Sequence, residues 1–275
     1  MLFKLITMKK FAFWFVAFLI TVAAAFYQRM SGPTYPLGGE VALADSEIHY
    51  RLERSHGGKE DHEVAIQVEN RDITGSVQYK RHKTDDPWTT LPMLRKEDFL
   101  TAKLPHQPPA GKLEYRVILS YQEKEISLTG DRLVIIRFKD DVPSFILIPH
   151  VILMFLAMLF SNRAGIEALR SKANPRKYAL WTLVLLFVGG MILGPLVQKF
   201  AFGALWTGFP LGYDLTDNKT LIALVGWIAA VIAGRGGKPA RWWVLGAAIL
   251  LLVVFLIPHS LLGSELDYSQ MSPSL

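Results

Sequence analysis

Two periodicities divide this chain. From about residue 64 to 121, apolar and polar positions alternate: Val64, Ile66 and Val68; Val77 and Tyr79; then Leu113, Tyr115, Val117, Leu119 and Tyr121. A period of two places one face of a strand against a core and the other in water. Turn-forming clusters separate these runs, at His56-Gly57-Gly58, Asp85-Asp86-Pro87, Pro108-Pro109-Ala110-Gly111 and Thr129-Gly130-Asp131. Seven or eight short strands are expected in a domain spanning residues 31–141, an all-β sandwich. On either side the alternation is replaced by apolar runs at 11–26, 142–160 (interrupted by Pro149-His150), 178–197, 221–233 and 242–258, the fourth being the shortest. A helix rising 1.5 Å per residue needs roughly 20 such residues to cross hydrocarbon, so these runs predict transmembrane spans.

The predicted organisation is an N-terminal anchor over 1–30, the β-sandwich, and a four-span helical domain over 142–275. Lys4, Lys9 and Lys10 before the first run, and Ala23-Ala24-Ala25 near its end, also fit a signal peptide. The aromatic pair Phe26-Tyr27 fits an uncleaved anchor. The segment PHQPPAGKLEYRVILS, following WTTLPM and FLTAKL, resembles the later strands of fibronectin-III and immunoglobulin-like modules. The resemblance covers about 50 residues and implies a fold, with Trp88 as a core or rim aromatic, and no function.

Charge sets an expected topology. The net charge of +6 would point to nucleic acid in a soluble protein. Here the cations crowd short loops beside apolar runs: Arg163, Arg170, Lys172, Arg176 and Lys177 in one, Arg235, Lys238 and Arg241 in the other. No basic-aromatic pattern of a nucleic-acid site accompanies them. The positive-inside rule puts these loops and the N-terminus on the cytoplasmic side of a bacterial inner membrane. The β-domain, the 198–220 loop and the C-terminal tail then face the periplasm, with membrane lipid and a periplasmic protein as expected partners. The chain has no cysteine, which excludes disulfides, thiolate metal sites and covalent c-type haem. GRGGKPAR lacks the P-loop pattern, neither GxSxG nor HExxH occurs, and paired repeats of a transporter are not seen.

Candidate chemistry gathers around the stretch QKFAFGALWTGFPLGYDLTDNKT, residues 198–220. His150 falls about two turns into the second span, roughly 12 Å deep, and an ionisable group there is a functional-site candidate. His259 follows Pro258 at the end of the last span. Two imidazoles could ligate a b-type haem, or with Asp214 and Asp217 a divalent metal. The aspartates also suit N-capping of the fourth span. Trp206, Phe209 and Tyr213, interleaved with glycines, read either as a headgroup-level aromatic belt or as a shaped pocket lid. Glu265 and Asp267 in the tail either fold back over the same face or belong to a disordered tail. His56, Asp61 and His62 flank a Gly-Gly turn and read as a hairpin loop.

Three functions are compatible with this pattern. The first is an accessory or scaffolding subunit docking a periplasmic partner through the sandwich and outer loops. The others are a b-type haem electron-transfer protein using His150 and His259, and a membrane-embedded metal-dependent enzyme with Asp/His ligands.

Overall fold

In the computed structural model the two periodicities become two compact units, one formed by residues 1–33 and 142–264, the other by 34–141 and 265–275. The structure describes residues 2–170, 174–259, 261, 263 and 265–270, without the side chains of 2–9 and 270.

Among its described residues the β-rich unit contains eleven strands: β1 Leu37–Leu43, β2 Ser46–Leu52, β3 Ser55–Gly57, β4 His62–Gln67, β5 Thr74–Arg81, β6 Thr89–Pro92, β7 Leu94–Lys96, β8 Phe99–Leu104, β9 Lys112–Tyr121, β10 Lys124–Ser127 and β11 Val134–Lys139. The count exceeds expectation because several strands have only three or four residues. β9 organises the largest sheet. One of its edges pairs with β5; the other is shared by β11 against Lys112–Tyr115 and β10 against Ile118–Tyr121. β6 extends the sheet beyond β5, and β3 joins β11 in parallel. A second sheet runs β4-β8-β7, and β1 and β2 form a separate hairpin. Leu113, Tyr115, Val117 and Leu119 alternate into a core shared with Ile48, Leu52, Ile66, Val77, Leu104 and Phe138. The buried Tyr115 hydroxyl donates to the Glu53 carbonyl at 2.8 Å, which removes the cost of leaving it unpaired. Trp88 stands at the rim, under Lys80 and Arg116 at 5.6 and 5.3 Å from its ring centre.

The helical unit contains α1 Leu2–Ser31, α2 Ser144–Ala168, α3 Arg176–Leu186, a π-helical segment Phe187–Leu193, α4 Gly194–Phe202, α5 Leu215–Ala233 and α6 Arg241–Leu256. Four described helical stretches are long and apolar enough to cross a membrane: Lys10–Ser31, Ser144–Ala168, Arg176–Phe202 and Leu215–Ala233. The short one is therefore α6, not the fourth run, because α5 starts at Leu215 and adds a polar first turn to its apolar stretch.

α1 packs as a member of the bundle. Trp14 meets Phe160 and Tyr178 edge-on at 5.1 and 5.8 Å. The Asn162 amide donates to Thr21 Oγ1 at 3.0 Å, and Gln28 donates to the Phe255 carbonyl at 2.6 Å. α2 continues through SNRAGIEA, which hydropathy alone assigns to a loop. Its small residues let α6 approach; a Cβ on Gly165 would sit 2.9 Å from that of Ala248. Arg163 is only 1 % exposed, ion-paired with Glu167 at 2.7 Å and stacked 4.4 Å from the Tyr178 ring. A buried guanidinium costs several kcal/mol unless paired, and here a carboxylate and an aromatic face supply part of the compensation, while Arg163 Nε is left without an acceptor among the described residues.

Candidate functional site

The 198–220 stretch resolves into the end of α4, a loop over 203–214 and the start of α5. Gly203, left-handed at φ 84°, ends α4, and its N–H donates to the Lys199 carbonyl. Asp214 is the N-cap of α5, its Oδ1 accepting from the Thr216 N–H at 2.7 Å. Asp217, buried in the first turn, turns back toward the loop. Its Oδ2 accepts from the N–H groups of Thr207 and Gly208 at 2.7 and 3.0 Å. Asn218 Oδ1 accepts from the Phe209 N–H at 2.6 Å, and Gln198 donates to Thr207 Oγ1 at 2.5 Å. Three consecutive backbone N–H groups are thus held by two adjacent side chains of one helix turn. Two glycines make the approach possible. A Cβ on Gly208 would lie 2.6 Å from that of Asp217, and one on Gly212 would lie 2.3 Å from the Thr207 carbonyl oxygen.

With its backbone occupied from beneath, the loop presents its large side chains outward. Phe209, Leu211 and Tyr213 are 68, 78 and 95 % exposed. Trp206 is only partly exposed and donates its indole N–H to the Phe209 carbonyl at 3.0 Å.

His150 sits in α2, which continues unbroken past Pro149. Its Nδ1 lies 2.9 Å from the carbonyl oxygen of Gly189, in the π-helical segment. A carbonyl can only accept, so Nδ1 carries the proton and the Nε2 lone pair is left for another partner. This is the tautomer that a metal-ligating imidazole adopts when a carbonyl orients it. His259 lies exposed three residues beyond α6, within electrostatic range of Lys219, His150 and Asp214. Lys219, buried and not anticipated from sequence, reaches the same helix end by donating to the Ile257 carbonyl at 2.6 Å.

His150, His259, Asp214 and Asp217 do not bring three ligand atoms together. Among the described residues the group that does is Glu40, Glu47 and His49, exposed on the β1–β2 hairpin. Asp217 already serves the loop, and Asp214 the helix start.

Glu265 and Asp267 belong to the β-rich unit, where the tail lies in a groove. Glu265 is ion-paired with Lys83 at 2.6 Å and with Lys112. Burial would raise its carboxyl, but hydrogen bonds from Lys112 and Lys83 hold it down at about 2. Tyr268 reaches further in: its hydroxyl accepts from the Lys112 N–H at 2.9 Å and stands 3.1 Å from Gln107 Oε1. Burial pushes this phenol up to about 12. Gly111 makes room, since a Cβ there would come within 2.9 Å of the hydroxyl. Asp267 accepts from its own Ser269, a local turn. The tail and the strands around it line a cavity of about 530 Å³ that includes Arg81, Lys83 and Lys112.

His56 and His62 approach each other at 3.3 Å between Nδ1 atoms, while His56 Nε2 faces the Glu60 carbonyl at 2.8 Å. The consistent assignment has His56 donating from Nε2 to that carbonyl and accepting at Nδ1 from His62. Burial, followed by the neighbouring His56 with which it would have to share positive charge, depresses His62 to about 4, so it stays neutral at ordinary pH.

Comparison of the chain with protein-family models, with curated proteins and with solved structures finds no match, so function must be argued from these geometries.

Proposed function

We propose that this is a docking subunit of a bacterial inner membrane. Its β-domain, an immunoglobulin/fibronectin-III-like sandwich, and its 203–214 loop face the periplasm and receive a protein partner there. The observation that supports this reading is the loop's division of labour. A buried carboxylate and a carboxamide fix three successive N–H groups, and the fixed loop displays Phe209, Leu211 and Tyr213 to the outside. Ordering apolar side chains before a partner arrives lowers the entropy lost on binding, and aromatic anchors on a rigid support are what interface hot spots use.

The test is a photo-crosslinking amino acid in place of Tyr213 in the intact cell membrane. One discrete protein adduct, abolished by Phe209→Ser with Leu211→Ser, is expected. Lipid adducts alone would overturn docking in favour of a headgroup belt.

A second reading rests on the His150 tautomer, whose Nε2 lone pair suits a b-type haem or a metal. Iron near stoichiometric in the purified protein, with a Soret band lost in His150→Ala, would move the function to electron transfer. Zinc or manganese without colour would favour a metal-dependent enzyme. Metal-free, colourless protein would remove both.

A further inference from the structure

At the other end of α5 the helical unit holds a cavity of about 340 Å³, between the 234–240 connector and the start of α3. Arg176, Lys238 and Arg241 line it, and no carboxylate does. None of the three cations has an ion-pair partner among the described residues. Arg241 is the most enclosed of the three. Its guanidinium stacks 4.7 Å over the Trp242 ring, and its Nε–H is closed off from solvent without an acceptor.

The backbone adds to the same field. α6 starts at Arg241 with Ala240 as N-cap, and no side chain caps it. Its positive end faces the lining, and an anion is the natural complement of free N–H groups there. The end of α5, which would oppose this, is partly closed by the Gly234 N–H on the Ala230 carbonyl. A helix start alone would not make a site. A cavity walled by three cations with no ion-pair partner among the described residues, with no carboxylate in its lining and beside an uncapped helix start, gives it a ligand chemistry.

We propose that this cavity binds a phosphate group. Arginine supplies planar, forked donors to phosphate oxygens and lysine a mobile point charge. Basic pockets at helix ends are where anionic lipid headgroups are held, and a soluble phosphate compound presents the same oxygens.

The experiment uses the full chain, delipidated in neutral detergent, and measures retained ligand by native mass spectrometry. One arm adds phosphatidylglycerol, with phosphatidylcholine as control; the other adds inorganic phosphate. The variants are Arg176→Gln/Lys238→Gln/Arg241→Gln and, in case the triple change misfolds, Lys238→Gln alone; circular dichroism checks each fold. One phosphatidylglycerol bound per chain, weakened at least tenfold in the triple variant and measurably in the single, identifies a lipid headgroup. Binding of inorganic phosphate with the same sensitivity, and no preference for phosphatidylglycerol over phosphatidylcholine, identifies a soluble phosphate ligand. Equal binding by wild type and folded variants, or none in either arm, would overturn the site and leave the cations as topology determinants only.

Discussion

The two ends of α5 solve the same problem in opposite ways. Before the helix, the loop over 203–214 is tied down by the chain itself, through Asp214, Asp217, Asn218 and Gln198. After it, the 234–240 connector meets α6 with an alanine cap, exposed glycines at positive φ and cations that have no counter-charge among the described residues. One end spends its polar side chains inward and shows apolar ones; the other shows its charge. An end closed internally has fixed shape and suits a preformed contact surface. An end left electrostatically open needs a ligand or solvent to complete it.

This contrast is broken most severely at Asp217. Asp217→Ala leaves the Thr207 and Gly208 N–H groups without their acceptor beside a new void. Each unmet buried donor costs about 1–3 kcal/mol, so a loss of about 3 kcal/mol or more is expected. Asp217→Asn keeps one acceptor oxygen and should lose about half of that. Unfolding midpoints in detergent, followed by circular dichroism, check both; an unchanged Asp217→Ala midpoint would mean the loop is not held this way.

How much of this could be seen in the sequence follows from what each feature depends on. The apolar runs and the alternation of β9 are local patterns, and both are found where they were expected. The β1–β2 hairpin was not legible because its two-residue turn is Ala44-Asp45, both at positive φ without a glycine or asparagine to announce it. The last two turns of α2 resemble a loop in sequence because Arg163 and Glu167 are residue types that are usually solvated. Tyr178, Phe13 and Trp14, from α3 and α1, are what make their burial tolerable. Capping by an aspartate before α5 was foreseeable from residue type; the second aspartate's partners were not, since they depend on the path of a loop ten residues away. The tail's attachment through Tyr268 likewise depends on Gly111, more than 150 positions earlier in the chain.

The smaller predictions sharpen the comparison. Asp214→Ala removes the cap bond to the Thr216 N–H and should cost about 1 kcal/mol, below Asp217→Ala because the Thr216 N–H can turn to water. Lys238→Gln should shift the midpoint by less than about 0.5 kcal/mol, since an exposed lysine with no ion-pair partner among the described residues contributes little to folding. Removing one of three like charges could even relieve repulsion, so a small gain in ligand-free protein is consistent. The informative result is the salt dependence: in delipidated wild type, raising ionic strength from low to physiological should stabilise the connector by screening Arg176, Lys238 and Arg241 from one another. That stabilisation should shrink in Lys238→Gln and leave Asp214→Ala unaffected. If both variants respond to salt alike, the unpaired cations are not setting the energetics of this end, and the difference drawn between the two ends of α5 fails.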